Sequence, residues 1–160
     1  MTLIYETENF KIDAVEKPHV DRDEGGHIKI YPKIRLINRQ QLPPKQAIEL
    51  MRLTIVVGQS MNKVMNERGV DIGRINYQDN GNWGVFKPEG PYFHIHVYGR
   101  AKSAKINKYG DAIFAGHREK NPEHYNKMKP LNEKDIKDIK SEIKRLLKEQ
   151  KYSNSAWGLN

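Results

Sequence analysis

The sequence predicts an α+β fold, and three observations carry the prediction. A strand around His94 alternates in residue character, a long apolar stripe at helical spacing runs from Ala47 to Met65, and a second runs from Ile136 to Leu147. In chain order, residues 27–34 alternate and carry the β-branched Ile28 and Ile30, which suits a strand with one buried face ending near Pro32. A helix follows from Pro43-Pro44, because proline is tolerated in a first turn. Ala47, Leu50, Met51, Thr54, Ile55, Gly58, Met61, Val64 and Met65 recur at three- and four-residue steps, and Gly69 stands where a left-handed cap is expected. The methionines read as core filler, and Gly58 as a point of close approach to the sheet. Ile72 to Gln78 is a second strand, closed by the turn-prone Asp79-Asn80-Gly81-Asn82. In the third, Tyr92 to Tyr98, Phe93, Ile95 and Val97 face one way and Tyr92, His94, His96 and Tyr98 the other. A basic loop region, about 99–131, contains Arg100, Lys102, Lys105, Lys108, Arg118 and Lys120. The last helix, about 132–150, has Asn132 as its N-cap. Glu133 and Asp135 in its first turn, with Lys144, Arg145 and Lys148 near its end, match the helix dipole. Trp157, in the tail, is expected to dock on the body or on a second subunit.

A chain of 160 residues is most simply one domain, 1–160, with a real core. The absence of cysteine excludes disulfides, thiolate zinc sites and a cysteine nucleophile. No apolar run approaches the roughly 20 residues that cross a bilayer, and the first residues lack the pattern of a secretory signal, so a cytoplasmic protein is expected. The net charge of +8 implies an anionic partner or serves solubility alone. No helix-turn-helix, zinc finger or aromatic-rich single-strand motif points to nucleic acid.

His94 and His96 present two imidazoles on one strand face, about 6–7 Å apart along the chain. Such a pair suits a metal, a phosphate, a nucleophile with its acid, or an incidental structural role.

Its surroundings narrow the choice. Residues 92–99, Tyr-Phe-His-Ile-His-Val-Tyr-Gly, resemble the signature strand of the histidine-triad superfamily of nucleotide hydrolases and transferases. Gly26-His27 with Pro32-Lys33 is similar to that family's upstream Gly-His strand, and residues 75–81 to its amide-bearing segment. The resemblance spans about residues 12 to 100. It implies an antiparallel sheet with one long helix packed on it, a C-terminal helix, a nucleotide substrate, no cofactor and no metal. It implies that His94 is the nucleophile, that His96 contacts phosphate, that His27 supports the catalytic strand, and that Gln78, with Asn76 near it, lies by the phosphates. Tyr92 stands in place of the first triad histidine. The family's Gly-Gln-Ser/Thr stretch is absent, and Lys87 occupies that region as a phosphate contact or a surface lysine. The ribose partner is left among Asp21, Asp23 and His19. An apolar base slot from the early strands would recruit Ile12 and Val15. Trp83 and Phe86 either reach a second nucleoside or pack over the sheet edge.

A neutral imidazole is a competent nucleophile near neutral pH. The implied reaction is attack by His94 on an α-phosphorus, then hydrolysis of a nucleotidyl-histidine. Arg100 and Lys102, just after the strand, are expected to hold the leaving phosphates, which favours dinucleoside polyphosphates. The alternatives are a nucleoside phosphoramidase and a non-catalytic nucleotide- or nucleic-acid-binding module. By the same analogy a homodimer is expected.

Overall fold

The computed structural model describes residues 1–160. Its centre is a five-stranded antiparallel sheet of β1 (Thr2–Glu6), β2 (Phe10–Ala14), β3 (His27–Pro32), β4 (Ile72–Gln78) and β5 (Ile95–Ala101), in the spatial order β1-β2-β3-β5-β4. β1 and β2, whose bounds the sequence pattern does not define, form a hairpin whose turn is fixed by the Thr7 hydroxyl, which accepts from the Asn9 and Phe10 amides. β5 starts and ends three residues later than the alternation predicts. Tyr92 to His94 form a lead-in, tied down where the Phe93 amide donates to the Leu36 carbonyl at 2.8 Å.

One sheet face carries Ile4, Ile12, Ile28, Ile30, Ile95 and Val97 into the main core. Against it lie α1 (Pro44–Glu67) and α3 (Glu133–Leu146), which also pack on each other. Because α1 has two partners, its buried stripe is rotated from the expected one. Leu53, Val56 and Val57 are fully buried, whereas Ala47 is exposed and Met51 is 58% exposed. Gly58 admits the hydroxyl of Tyr77 from β4, since a Cβ there would stand 2.0 Å from it. Gly69 closes the helix at φ 81°. α3 begins with a capping box between Asn132 and Asp135, and the Asp135 carboxylate also binds Arg22 and Arg68. The helix stops at Leu146, short of residue 150. Trp157 packs on the core of the chain itself, with its indole N–H on the Lys151 carbonyl.

The opposite sheet face is polar and is roofed by the connections 79–94 and 102–130, the latter containing the short helix α2 (Pro122–Asn126). Glu24 holds this roof by accepting the amides of Lys105, Ile106 and Asn107, while Asn107 donates to the His19 carbonyl. The turn before β3 packs backbone to backbone on β5. A Cβ on Gly99 would lie 2.5 Å from the Gly25 carbonyl oxygen, and Gly25 and Gly26 have φ of 128° and 84°.

Candidate active site

The antiparallel register sets the polar face out in rows. Asp13 pairs with Lys29, Lys29 with His96, and His96 with Gln78, so four polar side chains cross the sheet in line. Two residue pairs along, on the same face, His27 lies opposite Tyr98.

Within these rows a chain of imidazoles has a defined direction. The backbone amide of His19 donates to His27 Nδ1 at 3.2 Å, so the proton of neutral His27 is on Nε2. That nitrogen is 2.8 Å from His96 Nδ1, and His96 Nε2 is 3.0 Å from His94 Nε2. At the far end His94 Nδ1 is 2.6 Å from the Tyr92 carbonyl, which only accepts. A donor at one end and an acceptor at the other assign every ring proton between them. His27 and His96 are Nε2–H tautomers, His94 is Nδ1–H, and the His94 Nε2 lone pair meets the His96 N–H.

The charge state agrees with this wiring. Burial first, and the Lys29 ammonium next, push His94 down to about 4. Burial is also the leading cause that lowers His19, His27 and His96. All four are neutral near pH 7.

His94 and His96 open into a cavity of about 340 Å³. Lys29 and His19 share its floor, Trp83, Tyr31 and Tyr92 form aromatic walls, and Arg118, Arg35 and Lys87 bring further positive charge. Glu89 is its one carboxylate. A second cavity, lined by Asn38, Arg39 and Asp79, lies against the other side of His94.

Several expected contacts fall elsewhere. Arg100 is buried beneath the roof, where it donates to Asn76 Oδ1 and to the carbonyls of Asn107, Lys108 and Asp111; it anchors the loop and does not line the cavity. Asn76 is thereby occupied as well. Lys102 lies past the end of β5, about 20 Å along the chain from His96 at strand rise, with its side chain against Gly73. Gln78 is opposite His96 in register but is not among the cavity-lining residues. Ile12 is fully buried in the core face and Val15 is 3% exposed, so neither forms a base slot. Asp21 caps a turn and accepts the Lys129 amide, and Asp23 pairs with Arg22 and Lys129. Of the three ribose candidates only His19 lines the cavity. Trp83 forms part of the wall, while Phe86, 98% exposed, touches no substrate space.

Tyr92 contributes mainly through its carbonyl, which fixes the His94 tautomer. Its ring lies under Arg35, and its hydroxyl donates to the Pro32 carbonyl. Sequence pattern alone does not single out Lys29 and Arg118 as site residues. Lys29 had a signal, two positions after His27 on the same strand face; Arg118 had none, because its place depends on the roof.

His19, His27 and His96 each offer a ring nitrogen within 4.8 Å of the others, a metal-like spacing. The donor set does not fit a cation. His27 Nε2 carries the proton that Nδ1 cannot hold, leaving no lone pair there, and Lys29 and Arg118 exert like charge on the cluster.

No protein-family model matches the chain, and no curated protein matches it in sequence. Solved structures do. A histidine triad protein from Sinorhizobium meliloti aligns with TM-score 0.58 at 16% identity, covering 90% of this chain and 87% of that one. A hypothetical histidine triad nucleotide-binding protein from Sulfolobus tokodaii gives 0.56 at 16%, covering 91% and 85%. A Hit-like protein involved in cell-cycle regulation from Bartonella henselae gives 0.56 at 13%, covering 88% and 85%. The chain therefore has the histidine-triad fold, the α+β architecture that the sequence motifs imply.

Proposed function

We propose that the protein is a nucleotide hydrolase that cleaves at the α-phosphate through a nucleotidyl-His94 intermediate. The observation that carries this reading is the meeting of the His94 Nε2 lone pair and the His96 Nε2–H at 3.0 Å on a cavity floor. A phosphoryl group entering there finds a nucleophile and an oxyanion donor side by side. His96 turns its N–H from His94 to a non-bridging oxygen, and His94 Nε2 attacks phosphorus. A P–N bond forms, a P–O bond breaks, and the electron pair leaves with the departing phosphate. The His94 Nδ1–H bond to the Tyr92 carbonyl stabilises the charge that develops on the ring. Water then cleaves the P–N bond and regenerates neutral His94. His27 is a positioning residue that fixes the His96 tautomer.

Trp83, Tyr31 and Tyr92 offer ring faces and edges for a base, in place of the aliphatic slot. The excess of cations over the single Glu89 carboxylate supports dinucleoside polyphosphates as substrates. The reading includes one 160-residue domain acting as a homodimer, supported by the exposed Ile48 and Met51 on α1 and by the exposed Tyr77 on the edge strand β4.

The test is a mass measurement after brief exposure to a dinucleoside polyphosphate. The expected result is one nucleotide added at His94, with no adduct and at least a roughly thousandfold loss of turnover in His94→Asn. Unchanged turnover in that variant would sink the nucleophile assignment.

A further inference from the structure

Two cations face the cavity without the carboxylate partners that buried charges usually require. Lys29, the register partner of His96, points onto the same floor. Its nearest acid in the row, Asp13, already accepts from the Tyr31 hydroxyl. Arg118 reaches the cavity from the roof, lying 5.3 Å over the Trp83 ring and 5.6 Å over Tyr125. One end of its guanidinium donates to the Lys17 carbonyl, and its buried Nε has no partner. Desolvation and the Arg118 charge push Lys29 down to about 8, and Asp13 alone pulls the other way. Both side chains are thus held half-buried in a like-charged setting that an anion would relieve.

We propose that Lys29 and Arg118 form a subsite for the phosphate chain of the leaving group, so that the site takes nucleotides whose leaving group is a polyphosphate anion rather than an amine. This rests on the reading that His94 attacks a nucleotide phosphorus. When the P–O bond breaks, the charge gathers on the departing phosphate oxygens, where an ammonium and a guanidinium neutralise it without a proton transfer. A departing amine instead needs a proton, which the permanently charged Arg118 guanidinium does not give.

The probe is inorganic tripolyphosphate, titrated calorimetrically into the full-length protein at fixed ionic strength near pH 7. Lys29→Met and Arg118→Met should each weaken binding about tenfold or more, while Lys29→Arg stays within about threefold of the wild type. Wild-type affinity should fall as salt is raised. Affinity equal to the wild type in the two Met variants, or wild-type binding indifferent to salt, would overturn the subsite. So would Lys29→Arg binding as poorly as Lys29→Met, because the charge would not then be what matters. The salt series needs no variant and stands even where a substitution fails to fold. Tripolyphosphate binding that depends on Lys29 and Arg118, without any adduct on His94, would fault the hydrolase reading and leave the subsite intact. An adduct on His94 with binding indifferent to both residues would do the reverse.

Discussion

At the scale of single residues, the site is decided by which nitrogen holds a proton. His94 and His96 were legible in the sequence as a pair on one face, and His27 as their upstream support. Their wiring was not, because it depends on the His19 amide and the Tyr92 carbonyl, two backbone groups that carry no side-chain signal. Burial keeps the four histidines neutral, and this has a sign. An unfolded histidine titrates near 6.5, whereas burial holds folded His94 near 4 and His19 near 3. Between those values the unfolded chain binds more protons, so stability is full above about pH 6.5 and is lost as pH falls. Thermal midpoints measured from pH 7.5 down to 5 should decline steadily below about 6.5. A flat profile over that range would mean that the imidazoles are not held neutral by the fold.

At the scale of elements, long stripes were readable and short strands were not. α1 spans 24 residues and both its ends were foreseen, but the choice of buried face was not, since two partners share it. β1 and β2 have five residues each, too few for alternation to stand clear of turns. Arg100 and Lys102 looked like phosphate ligands because they follow the histidine strand. In the fold, alternation aims Arg100 at the roof, and Lys102 leaves at the far end. The contact between the Gly25-Gly26 turn and β5 sets His27 against His96. Gly99→Ala would drive a methyl group into the Gly25 carbonyl, where backbone rather than a flexible side chain must move. The expected cost is about 1–3 kcal/mol, read as a lower denaturant midpoint at unchanged slope. A midpoint equal to the wild type would show that the turn is free to shift.

At the scale of the whole molecule, one sheet separates two kinds of chemistry. Its apolar face builds the core with α1 and α3, and its polar face, with the roof, builds the cavity. No helix is long and apolar enough to cross a membrane. The exposed strip of Ile48 and Met51 belongs to neither face. Light scattering should give a mass near twice the 18.6 kDa of one chain, and Met51→Glu should shift it toward one copy. A single-chain mass for the wild type at micromolar concentration would remove the dimer. The motif order in the sequence was enough to reach the fold because the glycines, prolines and histidines that carry it all lie on or beside the central strands. The cavity walls come from the connections, where neither spacing nor alternation constrains what a side chain meets.

The row of imidazoles has a further consequence for proton traffic. A hydrogen-bonded line conducts only if its terminal group can release a proton and take another, and here the inner terminus is the amide of His19. That amide donates and has no lone pair to receive, so the line is a cul-de-sac. On the proposed mechanism, a proton gained or lost while a nucleotidyl group is on His94 therefore travels on the cavity side of that ring, where the substrate itself stands as gatekeeper, and not inward through His27.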